Sequence, residues 1–401
     1  MLESQIEEIL DYQTEYMARI NEGTPRDLTN KVKLTDNHAK ILTGIRRCGK
    51  STTMLQIARH YPVYHLFSFE DPRLSSFEVQ DFFKLEKILE RKGETDLFFF
   101  DEIQNVDGWE SYIRVLLDKR QKVIITGSNA RILSKELGTS LTGRHLSYEV
   151  YPFSYSEYLV HFNIKAGIKS FAEYMYRGGM PEYLNSRNED VLLSLFNDLI
   201  YRDIVVRHGL RNPKTVKELG IYLATHVAKE YTYNRLAKVF ELGSNNTVAS
   251  YISYFEDAYL FFSIPRFSYS LKQQQKNPRK IYGIDTGLIT NLSMSFSRDR
   301  GRLLENIVFL QLKRSGNDIS YFRDQGECDF VVSKNRKTEV AIQVCYELND
   351  DNLMREVTGL TEALNELGLN GGLLLTYDQK DEIKQDGKKI IILPVWEWLT
   401  E

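Results

Sequence analysis

The chain has 401 residues, 42% hydrophobic and 12% aromatic, enough for about two to four packed domains and too apolar for a disordered chain. A formal net charge of −3 excludes a strongly basic nucleic-acid coat over the whole chain but leaves a local basic patch open. Cys48, Cys328 and Cys345 are widely spread with no C-x-x-C pair, the first residues lack a basic-then-apolar leader, and no run nears the ~20 apolar residues that span a bilayer, so a reduced, cytoplasmic setting without membrane contact is expected.

In chain order, Leu2 to Ile20 carries Ile6, Ile9, Leu10, Tyr12, Tyr16, Met17 and Ile20 as a helical stripe, expected to dock on the adjoining core or on another subunit. From about Thr24 to Tyr158 strands and helices alternate as in a parallel α/β sheet. The strand candidates are 39–43, 63–68, 97–101, 122–127 and 146–150.

Between the first strand and a helix from Ser51 to Arg59 lies Gly44-Ile45-Arg46-Arg47-Cys48-Gly49-Lys50-Ser51-Thr52, the spacing G-x-x-x-x-G-K-[ST] of a phosphate-binding loop. The glycines admit close approach of backbone N–H groups to phosphate at a helix N-terminus. Lys50 reaches the β and γ oxygens, and the Ser51 hydroxyl holds Mg²⁺. Arg46 and Arg47 face phosphate, a partner subunit or solvent. About fifty residues on, Leu97 to Phe100 is an apolar strand ending in Asp101 and Glu102. Asp101 is expected to bind Mg²⁺ and Glu102 to serve as general base toward the attacking water. A further strand ends at Gly127, which places Asn129 as a polar sensor of the γ-phosphate. Arg144, after Gly143, is either an arginine finger acting in cis or, in a homo-oligomer, in trans, or a surface arginine paired with a nearby acid.

After Pro152 the pattern turns helical, with a turn at Gly178-Gly179-Met180-Pro181 and an amphipathic helix over 191–206. Tyr201, Arg202, Asp203 and Arg207 form an internal salt-bridge set or a nucleotide sensor. Thr232 to Phe240 and Ser244 to Ala258 read as the two helices of a winged helix-turn-helix. The second offers Asn245, Asn246 and Thr247 but no cation, and ends in Glu256 and Asp257. The segment Pro265 to Tyr282 holds Arg266, Lys272, Lys276, Arg279 and Lys280 and no acid, a basic wing that suits DNA.

The last hundred residues open with a helix bearing Glu305, then strands at 319–322, 327–332 and 339–346 that bear Asp329 and Gln343. This is the layout of a PD-(D/E)XK nuclease core, in which two carboxylates and a third ligand hold Mg²⁺ while a lysine activates water. Here Gln343 stands for the last acid and Cys345 for the lysine, so cleavage is not expected, and Glu305, Asp329 and Gln343 read as a vestigial metal site.

The phosphate loop, the Phe98–Glu102 strand, Gly143-Arg144 before Pro152-Phe153-Ser154, the Gly178–Pro181 turn and the Glu305/Asp329/Gln343 set together resemble a bacterial and archaeal family of AAA-like P-loop ATPases. In that family a C-terminal region of unknown function ends in a nuclease-like fold. The resemblance implies ATP with Mg²⁺ as ligands and a DNA-associated or signalling role. It also implies α/β architecture: a parallel-sheet P-loop domain (24–160) behind an N-terminal helix (1–23), a helical lid and winged helix (161–290), and a restriction-endonuclease-like domain (291–401). The candidate activities are ATP hydrolysis coupled to DNA, a nucleotide-dependent switch acting on a protein partner, and an ATP-gated nuclease.

Overall fold

The computed structural model describes residues 1–35, 37–127, 143–294, 299–335 and 337–401. They divide into two compact units, Met1–Tyr151 and Pro152–Glu401. The N-terminal helix therefore belongs to the first unit, residues 152–160 fall in the second, and the two C-terminal domains expected from sequence form one unit.

The first unit is built on five strands: β1 (Ala39–Thr43), β2 (His65–Ser68), β3 (Leu97–Asp101), β4 (Lys122–Gly127) and β5 (His145–Glu149). Their order is β2-β3-β4-β1-β5 and every pairing is parallel. All five residues of β1 and of β3 are buried, as expected of strands covered on both faces. The covering helices are amphipathic. Asp81–Lys92 buries Phe82, Leu85, Ile88 and Leu89, and Trp109–Asp118 buries Trp109, Tyr112, Ile113, Leu116 and Leu117. The helix Glu3–Arg19 adds Ile6, Ile9 and Leu10 to the same core. Gln13 fixes it by exchanging hydrogen bonds with the Ser68 backbone, Nε2 to O at 2.9 Å and N to Oε1 at 2.8 Å. Of the two docking sites foreseen for this helix, it occupies the one on its own unit.

The second unit opens with helices Tyr155–Phe162, Ile168–Arg177, Pro181–Ser186 and Asp190–Asp198. The last runs on as a π-helix over Leu199–Val206, so the single amphipathic helix expected there changes its winding midway. Within the wider turns Asp203 is buried and pairs with Arg207 at 3.4 Å, which matches the salt-bridge reading of that set.

Helix Pro213–Thr225 leads to β6 (Glu230–Tyr231), helices Tyr233–Val239 and Asn245–Asp257, β7 (Phe261–Pro265) and β8 (Arg279–Gly283). These three strands form an antiparallel sheet ordered β6-β8-β7. Thr232 and Ser244 cap the two intervening helices by accepting from the Arg235 and Thr247 N–H groups.

Helix Arg300–Arg314 is followed by β9 (Asp318–Arg323), β10 (Glu327–Lys334), β11 (Lys337–Val344), helix Leu353–Glu366, β12 (Gly371–Thr376), β13 (Asp381–Gln385) and β14 (Lys388–Pro394). The sheet order is β13-β14-β12-β11-β10-β9. The β9–β10–β11 meander is antiparallel, and the helix then crosses over so that β12 pairs parallel with β11.

Candidate active site

Thr43 ends β1, and the chain turns at Gly44, where φ is 150°. A Cβ at Gly44 would fall against the Val150 carbonyl oxygen, far inside contact distance, so only glycine fits beneath the loop. Gly49 caps the following helix, Lys50–Ala58, in the left-handed region at φ 98°. Between them Ile45 and Cys48 are buried, Arg46 is half-buried and Arg47 is exposed at φ 61°.

The Lys50 ammonium is 5% exposed and folds back over the loop, donating to the Gly44 and Ile45 carbonyls at 3.3 and 3.2 Å. It lies 3.8 Å from Glu102 Oε1. At the second residue of the helix, the Ser51 hydroxyl donates to Asp101 Oδ1 at 2.9 Å, joining the loop to the end of β3. The same oxygen accepts from Thr126 Oγ1 at 2.6 Å, and Oδ2 accepts from Ser68 Oγ at 3.3 Å. Burial lifts the Asp101 carboxyl above the usual carboxylate range, and Glu102 pushes the same way, against the Thr126 and Ser51 hydrogen bonds and the Lys50 charge.

Glu102 turns the chain in the left-handed region at φ 49°, which takes its side chain out of the alternation of β3. Its N–H donates to Thr126 Oγ1 at 2.9 Å, and Gln104 Nε2 donates to its carboxylate. The pair expected from sequence thus splits in two. Asp101 is buried beside the Ser51 hydroxyl, and Glu102 points toward Lys50.

Several supporting residues gave no signal in the sequence. Arg26 is buried and donates from Nη1 to the Cys48 carbonyl at 2.9 Å and from Nη2 to the Tyr151 carbonyl, bracing the loop from beneath. Its partners are 22 and 125 residues away in sequence, so no local pattern marks it. Ser68 at the end of β2 and Thr126 near the end of β4 flank β3 on either side, and only the parallel register brings them to Asp101. Gln104 could have been flagged by its place two residues beyond Glu102.

Two expected site residues remain. Asn129 lies outside the described residues. Arg144 sits just before β5 and its carbonyl accepts from Ala39 N–H at 3.0 Å, at the first residue of β1. The phosphate loop follows the last residue of that strand, roughly 15 Å away at about 3.3 Å per residue. A role for Arg144 in cis is excluded by that placement. Its guanidinium instead meets the exposed Asp118 carboxylate at 2.6 Å, the surface pairing.

The hydroxyl of Ser51 and the carboxylate of Asp101 are the hard oxygen donors that Mg²⁺ selects, and Lys50 adds a cation to the loop's N–H groups, so the residues present fit a magnesium nucleotide. The AAA domain model matches residues 36–159, which hold all of these groups except Arg26. A domain of unknown function (DUF8612) matches residues 168–299. An uncharacterized protein of Methanocaldococcus jannaschii is 35% identical over 400 residues, covering 92% of this chain and 89% of that protein. The chain belongs to that protein's family. An uncharacterized protein of Haemophilus influenzae is 27% identical over 381 residues, covering 89% of this chain and 93% of its own length. Family members therefore match along nearly the whole chain, beyond the AAA domain alone. Among solved structures, AMPPCP-bound DnaA from Aquifex aeolicus is similar at 12% identity and TM-score 0.27, covering 62% of this chain and 88% of that chain. A signal-transduction ATPase of the STAND class from Pyrococcus horikoshii, with a tetratricopeptide repeat sensor, is similar at 13% identity and TM-score 0.28. It covers 74% of this chain and 47% of that chain.

The second cluster expected from sequence has a different character. Glu305 and Asp329 do approach one another, but the group between them is Lys280 Nζ, at 3.0 and 2.7 Å. Gln343 is turned away. Its Oε1 accepts from Asp329 N–H at 3.1 Å and its Nε2 donates to Glu356 at 2.6 Å. Cys345 Sγ donates to the Glu347 carbonyl at 3.3 Å. Burial and the Asp329 charge push Glu305 up to about 8. Among the described residues, no group of His, Cys, Asp and Glu is arranged to hold a metal ion. A magnesium site at Glu305, Asp329 and Gln343 is therefore corrected to an ion-pair cluster. No helix among the described residues is long and apolar enough to cross a membrane.

Proposed function

We propose that this protein binds ATP with Mg²⁺ at the Gly44–Thr52 loop and hydrolyses it, with Glu102 as the general base. The observation that carries the reading is the convergence of Lys50, Ser51, Asp101 and Glu102 at the C-terminal ends of β1 and β3. In this scheme the loop N–H groups and Lys50 orient the triphosphate, and Ser51 and Asp101 hold Mg²⁺. The ion, when bound, supplies positive charge to the phosphate oxygens. Glu102 takes the proton from the attacking water, for which its left-handed turn and its hydrogen bond from Gln104 set the direction. Measuring ATP turnover in the wild type and in Glu102→Gln tests it. Equal rates would remove the assignment.

For the second unit, the element order from Pro213 to Gly283 with sheet order β6-β8-β7 supports the winged-helix reading. The helix, three-stranded meander, crossover helix and parallel strand from Arg300 to Thr376 support a nuclease-like scaffold. DNA contact is less well supported by the same region. Of the five cations of the expected wing, Lys280 is buried among carboxylates, and the Arg266 guanidinium donates to the Arg323 carbonyl. The wing also leans on β9: Phe267 N–H donates to the Tyr321 carbonyl at 2.7 Å. Lys272 and Lys276, on the short helix Leu271–Lys276, remain exposed. These commitments favour the switch reading, in which the nucleotide state is read out by a protein partner. Arg279 is half-buried, and two or three phosphate contacts would give a slope of log affinity against log salt of only about −2 to −3. Duplex DNA that stimulates turnover, or binds with a much steeper slope, would restore the DNA reading.

A further inference from the structure

The C-terminal carboxylates meet a cation that the chain itself supplies. Lys280 lies on β8, in the three-stranded sheet, and is 2% exposed. Its ammonium reaches Glu305 Oε1 at 3.0 Å on helix Arg300–Arg314, and Asp329 Oδ1 and Glu327 Oε1 at 2.7 Å each on β10. The ammonium donates hydrogen bonds to Glu305 and Asp329, and Glu327 completes a set of three carboxylates paired with it. The Tyr321 ring closes a further side, with its centroid 5.6 Å from Nζ.

The surrounding donors complete the set. Tyr282 OH donates to Glu305 Oε1 at 2.7 Å, and Val344 N–H donates to Asp329 Oδ2 at 3.0 Å. The Gln343 amide is used at both ends by Asp329 N–H and Glu356. A divalent ion needs several oxygens at roughly 2.0 to 2.6 Å with no cation among them. Seating one here would require expelling a buried ammonium from all three of its partners. With no cation present, Glu305 and Asp329 would be left as uncompensated buried acids, a costly arrangement, whereas Glu327 is partly exposed and also pairs with Arg323.

We infer that Lys280 is the resident cation of this cluster: its ammonium stands where a nuclease-like fold would hold a divalent ion. It keeps the six-stranded sheet free of metal, and it fastens β8 to helix Arg300–Arg314 and β10. The carboxylates themselves remain a latent divalent site, closed only by the ammonium. The inference concerns the second unit and does not depend on nucleotide hydrolysis.

The test is Mn²⁺ titration of the nucleotide-free full chain, followed by the electron paramagnetic resonance of free Mn²⁺, in an Asp101→Asn background that silences the other candidate Mg²⁺ residues. Expected are indistinguishable titrations for the background alone and for the background with Asp329→Asn. Adding Lys280→Ala instead should create a new Mn²⁺ site, which Asp329→Asn then abolishes. A site already present in the background and lost with Asp329→Asn would overturn the inference, as would a folded Lys280→Ala protein that gains none. If Lys280→Ala fails to fold by circular dichroism, Lys280→Met fills the same volume without charge and is read the same way. Should neither fold, the Asp329→Asn comparison decides: no difference upholds the resident ammonium, and a lost site refutes it.

Discussion

Ser51 Oγ and Asp101 Oδ1 lie 2.9 Å apart, joining a loop residue to a strand end fifty residues later. The hydroxyl and the carboxylate face each other at the point where the phosphate loop meets β3, and Glu102 turns from there toward Lys50 at 3.8 Å. Substituting Glu102 by Gln keeps the shape and removes the base. Turnover should fall by roughly 10² to 10⁴ while nucleotide still binds, as read by phosphate release and by a fluorescent nucleotide. Loss of binding in step with rate would show instead that Glu102 serves the fold of the site.

Gly44→Ala tests the loop without touching a charged group. The added methyl would collide with the Val150 carbonyl oxygen, which is itself fixed because Val150 N–H donates to the Thr43 carbonyl at 2.7 Å. Neither backbone segment can yield cheaply. The variant should lose ~1 to 3 kcal/mol of stability or more and most of its nucleotide affinity. A protein with wild-type melting and binding would contradict the close approach.

Arg144 lies at the far end of the sheet from the phosphate loop and pairs with Asp118, both side chains about half exposed. Arg144→Ala should leave ATP turnover unchanged at every protein concentration, and stability within about 1 kcal/mol. A rate loss that grows as the protein is concentrated would instead establish a finger supplied to a neighbouring subunit.

Asp285 is the pH-sensitive support of the second unit. Its Oδ2 accepts from Gly179 N–H at 2.6 Å, and its Oδ1 from Leu288 N–H at 2.9 Å. Burial nevertheless pushes its carboxyl up to about 6, with those backbone hydrogen bonds opposing the rise. An acid raised on folding holds its proton more tightly in the native state. Its contribution to stability is thus complete below the usual aspartate range near 3.8 and declines as pH rises through about 6. The decline is on the order of 3 kcal/mol. Urea unfolding between pH 4.5 and 7, followed by Trp396 and Trp398 fluorescence in a Trp109→Phe background, should show this fall relative to Asp285→Asn. Parallel curves for the two proteins would exclude it.

Gly178 is bound to the same carboxylate, because a Cβ there would overlap the Asp285 oxygens, and its φ of 70° is left-handed. Gly178→Ala should therefore displace Asp285 from the turn and from its cap on helix Thr286–Leu292. A cap of this kind is worth ~0.5 to 2 kcal/mol, and the strained backbone adds to the loss. A melting temperature equal to the wild type would show that the turn relaxes freely.

The local pattern of the chain marked the central residues of the candidate nucleotide site. A phosphate loop needs its glycines, lysine and hydroxyl within a few residues, because consecutive N–H groups at one helix start form the cradle, so Gly44 to Thr52 was readable in one line. Asp101 and Glu102 were legible for the same reason: a buried parallel strand is an apolar run, and its end is marked by the first charges. The strands of the β9 to β11 meander were also legible as apolar runs. Tertiary structure decided what the remaining polar groups do. Arg26, Ser68 and Thr126 serve the site through contacts set by strand order, and Arg144 was removed from it by the same order. Lys280 is the sharpest case. In sequence it is one cation in a basic segment that suits DNA, and Glu305, Asp329 and Gln343 suit a metal. Folding places β8 against helix Arg300–Arg314 and β10, so the basic segment supplies the charge that the acidic residues lack. Charge neutralisation between segments 25 and 49 residues apart is a long-range property that no local spacing encodes.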